Sequence, residues 1–555
     1  MLNTSTLFFA SLLLLLLPVG TGHGAPAWDP QGPALAARID ATVAPYFKAD
    51  GPGATLIVVR EGKTLLRKAY GMADVAGKVP MRPDATLRLG SLTKQFTAVA
   101  IMLLADEGKL ATTDPITRFL PDYPTQGRLI TVEHLLTHTS GIVSYTGKPD
   151  FLSRARRDMS VTQMIEYFKN DPIEFAPGTR YAYNNSGYFL LGVIIEKLSG
   201  QPYAKFVEQR IFVPLGMEHT AYESHERALT LRALGHEKTD KGFRLSQPLS
   251  MLQPFAAGAL VSTVDDLARW DAAITAGKLL TPASWKQVFT AYRLADGKST
   301  NYGYGWDVGS LRGVPSIAHG GNINGFATYA VRIPQEKVYV ALLTNSEDGM
   351  AAPSMVASKA AAVAIGKPFP DFKAIPITKA ALDAVTGTYQ IDESTTRVLR
   401  REGDRLVMQR SGSAPVGLLP YATDSFFIPE SIDSLTFGRD EKGQVNRVTL
   451  HDEVGDAVNL RTGPAPAARI AVKLAPSVLD KFVGRYEVAP GFILELTREG
   501  DKMFSQSTGA PKYLAMPVSQ STFYVKEYDA ELRFENGKSG LTLHEGGQVL
   551  PAKRL

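Results

Sequence analysis

LRLGSLTKQFTAVAIMLLADEGK, residues Leu87–Lys109, places a serine and a lysine three positions apart at the start of a helical pattern. Apolar residues recur at helical spacing until Gly108, a residue type that often ends helices. Ser91 is a favourable N-cap residue, so we expect it to open this helix. Lys94 then lies on the same helix face, and the helix N-terminus adds positive partial charge beside the hydroxyl. The stretch predicts either an activated serine or merely a capping serine with a solvated lysine.

Length and composition limit the classes of protein to which this chain can belong. A chain of 555 residues exceeds what one hydrophobic core usually supports, so we expect two or three domains. The net charge of +5 is too small over this length to favour nucleic acid as a partner. Because the chain contains no cysteine, it can form no disulfide and carry no lipid-modified cysteine.

The first residues indicate export. An apolar run from Leu7 to Leu17 is broken by Pro18 and followed by small residues, a pattern typical of a signal peptide, although no Lys or Arg precedes it. The run is too short to span a bilayer comfortably. We therefore predict a signal peptide over residues 1–24, cleavage near Ala25, and a periplasmic or extracellular protein with no membrane span after cleavage.

Two hairpin signals frame the region that follows. The apolar runs Ala54–Arg60 and Lys63–Tyr70 flank a Glu-Gly turn, and Ala327–Ile333 and Val338–Thr344 flank a second turn. A Pro/Gly-rich stretch, Gly366–Pro370, then reads as a linker. These signals predict an antiparallel sheet near both ends of the first domain.

Two histidines lie four residues apart in a stretch, Ile130–Gly141, that we expect to be helical after an N-cap at Thr131. His134 and His138 could in principle ligate zinc from one helix face. The pattern is not His-Glu-x-x-His and no third ligand is suggested nearby, so structural or supporting histidines are favoured. We expect no metal and no cofactor.

A Pro, Gly and Asn-rich loop, Ala176–Gly187, leads into an apolar helix. Tyr183 and Asn185 are held at this junction, and a phenol and an amide presented together suggest a site. Asn185 could instead simply cap the helix, and on local pattern alone the cap is favoured.

The second hairpin is preceded by His319, Gly320, Gly321 and Asn322. The two glycines let a second backbone or a substrate approach closely and can direct N–H groups outward. A plain β-bulge would also use glycines, and on local pattern alone it is favoured.

The tail beyond the linker contains an internal repeat at an offset of 97 residues, from Leu382 to Leu479. Matching positions keep this register over most of each copy: Asp383 and Asp480, Gly387 and Gly484, Tyr389 and Tyr486, Arg401 and Arg498, Phe426 and Phe523, Leu435 and Leu532. Each copy predicts a small antiparallel β domain, and closure into a barrel would remove its edges. We place the copies at residues 376–462 and 471–555. Structural modules or active-site lids are favoured over ligand-binding barrels resembling lipocalins.

Three motifs follow one another along the chain: Ser91–Lys94, Tyr183–Asn185 and His319–Gly321. Together they resemble the Ser-x-x-Lys, Tyr-x-Asn and Lys/His-x-Gly motifs of the serine β-lactamase and penicillin-binding-protein family, in its class C and esterase branch. The resemblance covers roughly Gly51–Gly366, within a predicted catalytic domain of residues 25–366. It implies an α+β fold, an antiparallel sheet flanked by helices with an inserted helical region. No Gly-x-Ser-x-Gly elbow occurs, which argues against an α/β-hydrolase.

The resemblance assigns candidate roles that acyl-transfer chemistry requires. Ser91 is the nucleophile, and Lys94 and Tyr183 are the proton-transfer pair, with the choice of base left open. Asn185 is expected to hold Lys94 or the substrate amide. The backbone N–H groups of Ser91 and Asn322 are expected to form the oxyanion hole.

Recognition of the substrate is the point where the sequence departs from much of the family. β-Lactamases and D,D-carboxypeptidases usually place lysine where this chain has His319, followed here by Gly320 and Gly321. A histidine is mostly neutral at pH 7, so recognition of a substrate carboxylate should be weaker. This histidine and the two β modules resemble the D-aminopeptidases and related D-amino-acid amidases and esterases.

We therefore expect an exported serine hydrolase that acts through an acyl-enzyme on amide or ester bonds of a small-molecule or short-peptide substrate. A D-aminopeptidase or a D-amino-acid amidase or esterase is favoured. The alternatives are a penicillin-binding D,D-peptidase or β-lactamase, a carboxylesterase without D/L discrimination, and a non-enzymatic ligand-binding protein. The oligomeric state stays open.

Overall fold

The computed structural model describes residues 27–28, 32–148, 150–223, 231–348, 350–392, 395–452, 455–467, 469–489, 492–508, 511–535, 540–545 and 548–555. The predicted signal peptide, residues 1–24, lies outside them. Among the described helices, none combines the length and the apolar character needed to cross a membrane.

The helices are numbered in chain order: α1 Pro33–Val43, α2 Thr93–Asp106, α3 Val132–Leu136, α4 Phe151–Arg154, α5 Val161–Phe168, α6 Asn185–Ser199, α7 Tyr203–Val207, α8 Val213–Leu215, α9 Phe255–Gly258, α10 Val264–Thr275, α11 Pro282–Val288, α12 Pro353–Ala364, α13 Lys379–Ala384 and α14 Pro476–Leu479.

The strands of the first domain are β1 Ala27–Trp28, β2 Ala54–Arg60, β3 Lys63–Tyr70, β4 Met72–Asp74, β5 Val79–Pro80, β6 Leu87–Arg88, β7 Ala221–Tyr222, β8 His236–Thr239, β9 Gly242–Leu245, β10 Leu260–Ser262, β11 Asp307–Leu311, β12 Val314–Ile323, β13 Phe326–Ile333 and β14 Val338–Thr344. Seven of them form one sheet in the order β1-β3-β2-β14-β13-β12-β11. All neighbours are antiparallel except β1 and β3.

Both predicted hairpins are confirmed, and they join at the centre of the sheet. Strand β14 pairs with β2 from Val338 opposite Arg60 to Thr344 opposite Ala54. Every residue of β14 is buried, which is typical of a strand that is covered on both faces. Helices α1 and α12 cover one face, and the helical region that contains α2 and α6 covers the other. The expected α+β architecture is confirmed.

The start of α2 differs from the expected N-cap at Ser91. Residues Gly90–Leu92 form a 3₁₀ turn, and the α-helix begins at Thr93 with no side-chain cap. Gly90 has φ +54°, so the chain turns sharply before the helix and Ser91 lies in the turn rather than at the cap. The expectation of a capping Ser91 is therefore wrong.

Two other local expectations also need correction. Helix α3 is shorter than the predicted stretch, although Thr131 caps it as expected, because His138 adopts φ +59° and the chain leaves the helix. The cap of α6 is Asn184, whose side chain accepts the Gly187 N–H at 2.7 Å. Asn185 is thus free of the capping role and its side chain points elsewhere.

The tail forms two closed antiparallel barrels, as the repeat predicts. Their strands are β15 Gly387–Gln390, β16 Thr396–Glu402, β17 Arg405–Arg410, β18 Val416–Ala422, β19 Ser425–Phe427, β20 Ser434–Arg439, β21 Val445–His451 and β22 Asp456–Gly463, then β23 Gly484–Ala489, β24 Phe492–Glu499, β25 Lys502–Ser507, β26 Tyr513–Pro517, β27 Thr522–Val525, β28 Ala530–Phe534, β29 Gly540–Glu545 and β30 Gln548–Arg554.

Repeated residues make the same contacts in both barrels. The Tyr389 hydroxyl donates to the Val385 carbonyl and the Tyr486 hydroxyl to the Phe482 carbonyl, both at 2.8 Å. Each barrel is filled with apolar side chains of its own, so the barrels have separate cores.

Candidate active site

Lys94 lies in the first turn of α2 and is fully buried. Its Nζ lies 3.1 Å from Ser91 Oγ, 2.8 Å from Asn185 Oδ1 and 2.9 Å from the Ala257 carbonyl oxygen. None of these partners is a carboxylate, and burial lowers the pKa of Lys94 well below its usual value. A neutral amine has two hydrogens and one lone pair. Since Asn185 Oδ1 and the Ala257 carbonyl oxygen can only accept, the lone pair is left for the Ser91 hydroxyl.

Tyr183 lies beside the same lysine and serine. The Lys94 Nζ lies 4.8 Å from the centre of its ring, and Ser91 is close enough to affect the pKa of its phenol. Desolvation raises the pKa of the Tyr183 phenol and the nearby Ser91 hydroxyl opposes that rise, although 41% of the residue's surface is exposed. Burial therefore favours the neutral form of both the phenol and the amine.

Asn185, the first residue of α6, is fixed by three contacts. Its Oδ1 accepts from Lys94, its Nδ2 donates to Thr146 Oγ1 at 3.0 Å, and its backbone N–H donates to Ser144 Oγ at 3.1 Å. The amide orientation is therefore set by donors and acceptors on both sides. Of the two expectations for Asn185, the structure places it against Lys94.

Strand β12 passes against the turn that carries Ser91. A Cβ on Gly321 would lie 2.1 Å from the Leu89 carbonyl oxygen and 3.0 Å from the Ser91 nitrogen. A Cβ on Gly90 would lie 3.1 Å from the Asn322 nitrogen. Glycine at both positions thus lets the backbones of Ser91 and Asn322 come together.

The glycines of β12 do not mark a bulge. Strand β12 pairs with β13 without a register shift, with Gly320 opposite Tyr329 and Gly321 opposite Thr328. The alternative of a plain bulge is therefore wrong, and close approach of a second backbone explains Gly321.

His319 is buried, with 4% of its surface exposed, and both ring nitrogens are engaged. Nδ1 lies 2.6 Å from the Gly320 carbonyl oxygen, so it carries the hydrogen, and Nε2 accepts from the Tyr302 hydroxyl at 2.9 Å. Burial, with a contribution from Lys94, lowers the pKa of His319 to about 3, and the Gly320 bond opposes the shift. The imidazole is neutral at pH 7 and fixed in one tautomer.

An aromatic group surrounds the Lys94 amine and includes residues whose roles the sequence did not reveal. The ring of His138 lies 4.3 Å from that of Tyr183 and 4.7 Å from that of Tyr302, centre to centre. Tyr302 lies within the region Gly51–Gly366 that resembles the family, but nothing in its spacing indicates that it holds His319. The Ala257 carbonyl could not be foreseen either, because a backbone group leaves no signal in the sequence.

His134 does not share the site with His138. Its Nδ1 accepts the Thr131 N–H at 3.2 Å and completes a capping box at the start of α3. Among the residues that the structure describes, no group of three or more His, Cys, Asp or Glu side chains is arranged to hold a metal ion.

A small cavity of about 120 Å³ opens beside Ser91. None of the described residues that line it is charged: Gly90, Ser91, Tyr145, Thr146, Phe151, Asn185, Leu249, Pro254, Ala257, Gly258, Asn322, Ile323 and Asn324. A group that enters it meets mainly apolar side chains and neutral amides.

Comparisons with known proteins agree with this geometry. Residues 35–364 match the family described as Beta-lactamase. Penicillin-binding protein 4* of Bacillus subtilis is 28% identical over 401 residues, which are 67% of this chain and 87% of that protein.

Two solved structures are also similar. An octameric penicillin-binding protein homologue from Pyrococcus abyssi has a TM-score of 0.54 and 26% identity, covering 77% of this chain and 99% of that one. A D-stereospecific amidohydrolase from Streptomyces sp. has a TM-score of 0.51 and 27% identity, covering 59% of this chain and 97% of that one. The chain therefore belongs to the Beta-lactamase family, and it is a penicillin-binding-protein-like serine hydrolase that acts on amide or ester bonds.

Proposed function

We propose that this enzyme is a D-aminopeptidase or a D-amino-acid amidase or esterase, exported by the signal peptide expected at residues 1–24. One observation carries the substrate class. His319 is neutral and both its nitrogens are already bonded, so it offers no fixed cation to a substrate carboxylate. A substrate whose acyl side is uncharged or cationic is then favoured over a substrate whose carboxylate must be bound by a cation.

The reaction begins with proton transfer from Ser91 Oγ to the lone pair of Lys94 Nζ, since burial leaves this amine neutral. Ser91 Oγ attacks the carbonyl carbon, and the N–H groups of Ser91 and Asn322 stabilise the oxyanion. Lys94 returns the proton through the Tyr183 hydroxyl to the leaving amine or alcohol, and the bond breaks. Water then attacks the acyl-enzyme ester, and its proton passes through the Tyr183 hydroxyl to Lys94. Lys94 returns this proton to Ser91 Oγ as the ester bond breaks and the acid product leaves.

The cavity beside Ser91 supports a small acyl group. Its volume of about 120 Å³ and its uncharged lining favour a short apolar side chain such as that of alanine. The similarity to a D-stereospecific amidohydrolase supports the D configuration.

The competing function is a penicillin-binding D,D-peptidase or β-lactamase, and the similarity to penicillin-binding protein 4* favours it. This alternative requires efficient recognition of a carboxylate, for which the neutral His319 is poorly suited.

A panel of four substrates separates the candidates: D-alanyl anilide, L-alanyl anilide, a nitrophenyl ester and a chromogenic cephalosporin. We expect the D-alanyl anilide to give the highest kcat/KM, and Ser91→Ala to lose all activities. A cephalosporin turned over as fast as the D-anilide would overturn the proposal, and equal rates on the two anilides would favour a plain carboxylesterase.

A further inference from the structure

One residue outside the three motifs holds the backbone on both sides of Tyr183. The Ala182 N–H donates to the His138 carbonyl oxygen at 2.9 Å. The Asn184 N–H donates to His138 Nδ1 at 3.0 Å. The backbone N–H groups of both residues that flank Tyr183 are thus bonded to His138.

The backbone of His138 makes this double contact possible. Its φ of +59° is uncommon for a residue with a side chain, and it follows directly after α3 ends. In this conformation the carbonyl and the imidazole both reach the segment Ala182–Asn184. A strained conformation that serves a contact beside the nucleophile is a pattern seen at functional sites.

The protonation state of His138 follows from the contact. Nδ1 accepts a backbone N–H, so it carries no hydrogen, and the hydrogen of the neutral ring is on Nε2. His138 is 1% exposed, and Nε2 has no hydrogen-bond partner among the described residues. A buried donor without a partner costs stability, which is hard to explain for a residue that only supports the fold.

The groups that face this ring favour its neutral form. Burial is the largest cause that lowers the pKa of His138, and Lys94 and His319 add to it. The other neighbours are the rings of Tyr181, Tyr183, Tyr188 and Tyr302. No carboxylate is among the described groups that contact the ring or shift its pKa.

We propose that His138 is a positioning residue for Tyr183: its carbonyl and its Nδ1 together hold the backbone N–H groups of Ala182 and Asn184, and so place the phenol beside Ser91. This inference rests on the proposed proton-transfer role of Tyr183. His134, four residues earlier, also accepts a backbone N–H through Nδ1, but within its own helix.

Two substitutions isolate the acceptor. In His138→Asn, the amide oxygen occupies the place of Nδ1, and asparagine tolerates positive φ; in His138→Gly, the same φ is allowed but the acceptor is missing. Both lose the ring, so they differ chiefly in the bond to Asn184. Because misplacing a reacting group can cost about 100-fold, we expect kcat on D-alanyl anilide to fall about 10- to 100-fold in His138→Gly with a small change in KM. His138→Asn should retain most of the activity.

The control is His134→Asn, which should leave kcat unchanged. A double-mutant cycle with Tyr183→Phe tests whether His138 acts through the phenol, because His138→Gly should then cost little more in the Tyr183→Phe background. Equal kcat in the Asn and Gly variants, or full additivity with Tyr183→Phe, would overturn the inference. If Tyr183→Phe itself keeps wild-type activity, the proposed role of Tyr183 fails instead. Melting temperatures identify any variant that fails to fold. If His138→Gly fails to fold, the activity of His138→Asn still tests the inference, because this variant should retain most of the wild-type kcat.

Discussion

The two sides of the Ser91 hydroxyl are built differently. On the helical side, the buried Lys94 amine contacts the serine, an amide and a carbonyl, and it has a lone pair to receive a proton. On the strand side, His319 is neutral and bonded to Tyr302 and to its own neighbour, Gly320. Under the proposed function, the group that receives the proton and the group that selects the substrate come from separate elements, so we expect that they can be changed separately.

The largest expected effect comes from the helical side. Lys94→Met fills the same buried space without a base, so kcat should fall about 1,000-fold, within the range for loss of a general base. Burial lowers the pKa of Lys94, so the wild-type kcat/KM should rise with pH and reach its plateau well below pH 10.

A pH profile of kcat/KM checks this assignment, with Ser91→Ala as the inactive reference. If the phenolate of Tyr183 were the base instead, the rate would keep rising above pH 10, because the pKa of this phenol is raised. That profile would contradict the assignment of Lys94 as the general base.

A smaller effect is expected on the strand side. His319→Lys adds a flexible cation beside the cleft, and a hydrogen bond to a charged group contributes about 1.5 kcal/mol or more. The ratio of kcat/KM for the chromogenic cephalosporin to that for D-alanyl anilide should therefore rise about tenfold.

His319→Gln is the matched control, since it stays neutral and can accept from Tyr302. Its substrate ratio should remain that of the wild type. An unchanged ratio in the lysine variant, or an equal change in both, would show that this side chain does not control recognition.

Contacts between residues that are close in the sequence could be predicted, whereas contacts between distant residues could not. Ser91 and Lys94 lie one helical turn apart, so their contact could be inferred, and the repeat around Tyr389 and Tyr486 predicted two like domains. The N-cap expectation for Ser91 was wrong because Gly90 turns the chain in response to strand β12, more than 200 positions away. A local pattern carries no information about that approach.

The partners of the motif residues were the other part that sequence could not supply. Tyr302 fixes His319, and the Ala257 carbonyl receives a hydrogen of Lys94, but both contacts exist only after the chain has folded. His138 was foreseen as a structural or supporting histidine, and its contact with both neighbours of Tyr183 required the positive φ that the helical pattern did not indicate.

The proposed reaction requires that Ser91 forms an acyl-enzyme, and mass spectrometry after rapid quenching can detect this adduct. With an ester of D-alanine in excess, the wild type should gain the mass of one D-alanyl group on the peptide that carries Ser91, and Ser91→Ala should gain none. Turnover without an adduct in either protein, or an adduct on another residue, would contradict the account.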